Sequence, residues 1–132
     1  MGGFSREKGK RGERMWAAVC RDHGFMNARR GVQYSGREGQ ADDVTGLPGI
    51  HQEVKFVERL NLRDAMDQSR RDAEAAGKGA LPMVAHKQSN CEWLVTMRAE
   101  DWFRLYQSYY SDMVMSGRRI IRTLVMSGKG KK

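Results

Sequence analysis

Three side chains in this sequence are of the right types, at the right spacing, for phosphate chemistry. Nine residues separate Asp43 from Glu53, and a single residue separates Glu53 from Lys55. Gly46, Pro48 and Gly49 supply a turn between the two acids. Residues 50–57 then alternate as a strand does, with Ile50, Val54 and Phe56 on one face and Glu53 and Lys55 on the other. An acid beside a lysine on a strand, with a second acid returned to it by a turn, suits the meeting of a divalent cation and a phosphate. Carboxylate oxygens are hard ligands and favour Mg²⁺ or Mn²⁺. A cation held by Asp43 and Glu53 would lower the pKa of a water and polarise the phosphate. Lys55 would orient that water or stabilise the developing negative charge.

The surrounding elements must position these groups. Residues 12–23 read as a helix ended by Gly24, with Trp16, Cys20 and His23 at helical spacing. Glu13 lies on or near that inward stripe, either as a rim acid paired with Arg14 or Lys10 or as a further acid at the site. Residues 25–35 read as a strand carrying Arg29 and Arg30, followed by a polar loop with Arg37. These arginines could follow a DNA backbone or be solvated surface charges. Asp42 reads as a neighbour of the ligand acid. His51, two residues before Glu53 on its strand face, reads as a bystander. Asn61 caps a helix over residues 61–76 that Gly77 ends, with Leu62, Ala65, Met66, Ser69 and Ala73 as its packing stripe. Residues 81–87 and 91–97 read as a strand pair, with Lys87 ending the first as a possible DNA contact. Residues 100–110 read as a second amphipathic helix whose aromatic stripe belongs to a core or a subunit interface. The expected fold is a single α/β domain, a mixed sheet flanked by helices, over residues 12–110. A flexible basic lead occupies residues 1–11, and a basic extension occupies residues 111–132.

Bulk properties narrow the partners. The chain has 132 residues and a net charge of +8, which points to a polyanionic partner. No apolar run reaches the ~18 residues of a membrane span, and the N-terminal stretch lacks the apolar core of a secretory signal. Cys20 and Cys91 form no CxxC pair and read as buried thiols in a reducing, cytoplasmic compartment. No P-loop is present, so a nucleotide cofactor is not expected. His23, His51 and His86 are too scattered for a zinc cluster.

Asp43 with Glu53-Val54-Lys55 resembles the D…ExK signature of the PD-(D/E)XK nuclease superfamily. The longer run Gly46-Leu47-Pro48-Gly49-Ile50-His51-Gln52-Glu53-Val54-Lys55 resembles the virus-type replication-repair nuclease (VRR-NUC) domain and the small, often phage-borne Holliday junction resolvases related to it. Asp42 stands where the superfamily usually has Pro. The resemblance implies a restriction-endonuclease-like fold and a Mg²⁺- or Mn²⁺-dependent endonuclease for branched DNA, acting as a homodimer in a bacterial or phage-infected cell. It implies metal ligation by Asp43, Glu53, the Val54 carbonyl and, directly or through water, Glu13. It also implies site roles for Glu13, on the first helix, and for Gln68, in the helix after ExK. A flap or branch nuclease of the same family, or a basic DNA-binding protein without catalysis, remains the alternative.

Overall fold

The structure, a computed structural model, describes residues 2–31 and 42–117. It divides into two units, Met1–Met97 and Arg98–Lys132. The expected site residue Arg37 and the basic run from Arg118 onward lie outside the described residues.

The first unit holds α1 (Gly2–Asp22), β1 (Arg29–Arg30), β2 (Val44–Thr45), β3 (Ile50–Phe56), α2 (Leu62–Ala76), β4 (Leu81–Lys87) and β5 (Leu94–Met97). The five strands form one mixed sheet in sequence order. Only β3 and β4 run parallel, in register from Ile50 opposite Leu81 to Phe56 opposite Lys87. Parallel neighbours need a long crossover, and α2 supplies it. Its start and stop are local. The Asn61 side chain accepts the Asp64 N–H at 3.1 Å, and Gly77 takes the left-handed conformation just past the last turn. Ala65, Ser69 and Ala73 face inward, and the Ser69 hydroxyl donates to the Met83 carbonyl at 2.9 Å, which ties the helix to β4.

Strand alternation divides β3 between two environments. Gln52, Val54 and Phe56 face α1, whereas His51, Glu53 and Lys55 face the side on which α2 lies. The apolar core is on the α1 side, where Trp16, Ala17, Cys20, Val44, Val54, Met83 and Ala85 pack together. Trp16 stacks at a tilt on Trp93, with ring centroids 5.2 Å apart. Its indole N–H donates to Gln52 Oε1 at 2.7 Å in a fully buried pair. Trp16→Phe leaves that oxygen with only a long thiol contact from Cys20, at 3.8 Å. The variant should lose ~1–3 kcal/mol in urea unfolding, and adding Gln52→Leu should recover much of the loss, because removing both partners leaves no orphan.

Three expectations change. Residues 2–11 are not a flexible lead but the first turns of α1. Glycine disfavours helix by ~1 kcal/mol per residue, but contacts with the rest of the unit offset this. Lys8 and Arg11 lie over the Phe56 ring, Lys8 reaches Glu58 at 3.4 Å, and Lys10 pairs with Glu7 at 3.8 Å. Gly12 is needed for the close approach, since a Cβ there would stand 2.6 Å from the Phe56 Cβ. Cys91 is exposed rather than buried, because β5 begins only at Leu94 and Cys91 falls in the turn before it. Among the described residues of 25–35, only Arg29–Arg30 is strand.

The second unit contains α3 (Ala99–Met115). The expected boundary between residues 110 and 111 falls inside this helix. Arg98 pairs with Asp101 at 2.9 Å, and Arg104 pairs with Glu100 at 3.5 Å. Trp102 and Tyr106 stack at 5.4 Å, and with Phe103, Leu105, Tyr109 and Tyr110 they are exposed. No described helix is long and apolar enough to cross a membrane.

Candidate active site

The site forms where β2 stops pairing with β3. Val44 is opposite Gln52, and the Asp43 N–H still donates to the Gln52 carbonyl at 2.9 Å. One step further along β3, the Val54 N–H has no strand partner on that side. It donates to the Asp43 carboxylate instead, at 2.9 Å. The side chain has replaced the backbone as acceptor, which fixes Asp43 against the centre of β3. A strand residue points its N–H and C=O to the same side, so the Val54 carbonyl also faces Asp43.

Glu53 meets Asp43 there. Its side chain is 5% exposed, and Lys55 Nζ lies 3.8 Å from its Oε1. Burial pushes the Glu53 carboxyl up to about 9. A hydrogen bond and like-charge repulsion from Asp43 add to that rise, Lys55 opposes it, and Asp72 adds a little more. The folded site thus favours the protonated Glu53 carboxyl at neutral pH.

This proton links stability to pH. In the unfolded chain Glu53 ionises near the ordinary 4.5, whereas in the folded chain it keeps its proton to about 9. Its contribution is complete below the ordinary carboxylate value and is lost as pH rises through the folded one. Glu13 and Asp72, both also raised by burial, contribute with the same sign. The melting temperature of the protein in chelator should therefore fall across that window, and Glu53→Gln should flatten the fall. An equally steep fall in the variant would show that the buried carboxyl is not its source.

The other expected residues have varied placements. Glu13 lines a groove with Asp43 but is held by Arg30, whose Nε donates to its Oε2 at 2.6 Å. Its partner is neither Arg14 nor Lys10, because the pairing of β1 with β2 brings Arg30 across from Val44. Among the described residues, no group of three or more His, Cys, Asp or Glu side chains is placed to hold a metal ion. The expected gathering of Glu13 with Asp43 and Glu53 does not form such a group. Gln68 lines the same cleft as Lys55. Of the expected DNA contacts, Arg29 is exposed and Arg30 is committed to Glu13. Lys87 is turned into the β4–β5 connection, where it donates to the Cys91 and Gln88 carbonyls beside the Phe56 ring.

One site neighbour, Asp72, is not singled out by the sequence, and another, His51, reads there as a bystander. Asp72 is raised by burial, and it is influenced by His51, Asp43, Arg71 and Lys55, which puts it beside the carboxylate pair. Its signal was the i, i+4 spacing from Gln68 on one helix face. His51 is buried and clamped, donating from Nδ1 to Asp42 Oδ1 at 2.9 Å, and its Nε2 has no partner among the described residues. Asp42 in turn accepts the Gln52 N–H at 3.1 Å. Asp42 is thus the histidine's anchor, and His51 is a wall of the site. A scan against protein-family models finds no match to this chain, and searches of curated proteins and of solved structures return none either.

Proposed function

We propose that this chain is a divalent-metal-dependent endonuclease with a restriction-endonuclease-like fold. Its substrate is branched DNA, most specifically the four-way Holliday junction. The observation that carries the reading is the meeting of Asp43, Glu53 and Lys55. Asp43 accepts the Val54 N–H and helps raise the Glu53 carboxyl, and Lys55 Nζ stands 3.8 Å from Glu53 Oε1. A buried carboxyl that holds its proton beside a second acid is a costly place for negative charge, which a divalent cation would relieve. The donor set suits Mg²⁺ or Mn²⁺. Mg²⁺ keeps several waters and takes one or two carboxylates together with substrate phosphate oxygens. Asp43, Glu53 and the Val54 carbonyl are the groups that would hold it, and when bound it supplies Lewis-acid polarisation of the phosphate and a more acidic water.

The chain's own residues do the rest. Asp43 is fixed by the strand end. Burial of Glu53 keeps the site dry on one side. Lys55 brings a positive charge to where negative charge grows on the phosphate. The net charge of +8 and the two grooves that reach the site favour a nucleic-acid strand over a small phosphate ester. The exposed aromatic row on α3 supports self-association. A two-fold dimer would present paired sites to a two-fold junction.

The test is incubation with end-labelled four-way, flap and linear duplex DNA, with Mg²⁺ or with chelator. Paired cuts on the four-way substrate in Mg²⁺ alone are expected. Preferential cutting of flaps would move the substrate within the same class. Binding without cutting on any substrate would leave a DNA-binding protein and remove the enzyme.

A further inference from the structure

Two basic clefts reach the carboxylate pair from different sides. One, of about 420 Å³, is bounded by Lys55, Arg59, Asn61, Asp64, Gln68 and Arg71, over a floor of apolar side chains. The other, of about 510 Å³, contains Asp43 and Glu13 and is flanked by Arg6, Lys10 and Arg30. Lys55 belongs to the first and Asp43 to the second, so the cutting centre proposed above lies at the inner edge of both.

The first cleft differs from the second in how its charge is used. In the second, Arg30 is neutralised by Glu13, and Lys10 is paired with Glu7. In the first, Arg59 and Arg71 are both exposed, and neither makes an ion pair or hydrogen bond among the described residues. Arg70, next in sequence to Arg71 but turned away from the cleft, is fully engaged, its Nη1 3.2 Å from both Glu74 carboxylate oxygens. Lys55, Arg59 and Arg71 face only Asp64 as a lining acid. Two guanidinium groups unpaired among the described residues, with Lys55 shared with Glu53 and a single lining acid, make a cleft of ligand-pocket size that selects an anion. Two guanidinium forks favour tetrahedral phosphate oxygens, and the Gln68 amide adds a neutral donor.

We propose that this cleft holds the backbone phosphate of the nucleotide adjoining the one that is cut, gripped by Arg59 and Arg71. The strand then crosses the Asp43–Glu53 pair and leaves along the Arg6 and Lys10 side. The assignment rests on the nuclease reading for its orientation, but its test does not require cutting. Because the phosphate contact is sequence-independent, the two arginines set affinity and salt dependence, not base preference.

The measurement is fluorescence anisotropy with the full chain carrying Glu53→Gln, in chelator, on labelled four-way and single-stranded DNA over a salt series. Arg59→Ala and Arg71→Ala should each weaken binding several-fold. Each should also flatten the log K against log salt line by ~0.9 on duplex arms and ~0.7 on single strands, the value for one lost phosphate contact. Losses should be uniform across sequences. Arg70→Ala removes the same charge from the same helix and should leave the slope unchanged. Both cleft arginines are exposed, and unchanged melting temperatures would exclude unfolding as the cause. A double Arg59→Ala, Arg71→Ala variant with the parent slope overturns the proposal. So does an Arg70→Ala variant that loses as much as Arg71→Ala, or a parent protein that binds neither DNA. Cutting by the wild-type chain together with an unchanged slope would keep the nuclease and remove this cleft. Slope loss without any Mg²⁺-dependent cutting would do the reverse.

Discussion

Glu53→Gln should, if the proposed nuclease reading holds, remove Mg²⁺-dependent cutting, with an expected loss of ~10³-fold, and leave junction affinity within a few-fold of the parent. The amide is nearly the same size as the carboxylic acid, so the buried position beside Asp43 stays filled. What disappears is the ability to become an anion when a cation arrives, and with it half of the carboxylate pair. Lys55→Ala should cost ~10²–10³-fold in turnover, the range for deleting one group that stabilises transition-state charge. Its effect on binding should be larger than that of Glu53→Gln, because Lys55 also lines the cleft with Arg59 and Arg71. Single-turnover rates and anisotropy on the same labelled junction separate the two variants. Equal cutting by wild type and Glu53→Gln would end the assignment of this pair as the catalytic centre.

Gly46→Ala should be strongly destabilising. Gly46 has φ +107°, where an L side chain is strained, and a Cβ there would stand 2.5 Å from Ala28 Cα and 2.6 Å from Ala28 N. Backbone cannot rotate aside as a side chain can. The turn or the Ala28 segment would have to move, and either shift drags Asp43 from Val54. Strain of ~1–3 kcal/mol and overpacking of ~1–3 kcal/mol together take a large share of a total stability of ~5–15 kcal/mol. Gly49→Ala is the matched comparison. It also has positive φ, at +86°, but a Cβ there meets nothing within 4 Å, so only the strain should register. Urea unfolding of the two variants side by side measures the difference, and equal losses would mean that the turn does not press on Ala28.

What could be read from the sequence was what depends on local pattern. Asn61 and Gly77 mark both ends of α2 because cap chemistry is confined to one turn. The alternation of residues 50–57 puts Glu53 and Lys55 on a common face for the same reason. What escaped was set by the approach of distant segments. The glycines at the N-terminus suggest a loose lead, yet Phe56, far along the chain, gives α1 a surface to lie on. Glu13 had two basic neighbours in sequence and chose neither, because β1 delivers Arg30 to it. Asp42 and His51 each look incidental alone, and pair, with the histidine buried, only once Val44 is set against Gln52. The aromatic stripe of α3 was legible as a stripe, but which molecule covers it is not written in its periodicity.

The three tryptophans are distributed in a way that an optical experiment can use. Trp16 and Trp93 form a sheltered pair in the sheet unit, whereas Trp102 sits 48% exposed in the helix of the other. Their emission is therefore separable by a water-borne quencher such as iodide or acrylamide. The quenchable fraction follows what happens on the α3 surface, and the protected fraction follows the integrity of the sheet. The protein carries, without any label, one spectroscopic channel for changes at the α3 surface and another for denaturation of the sheet unit.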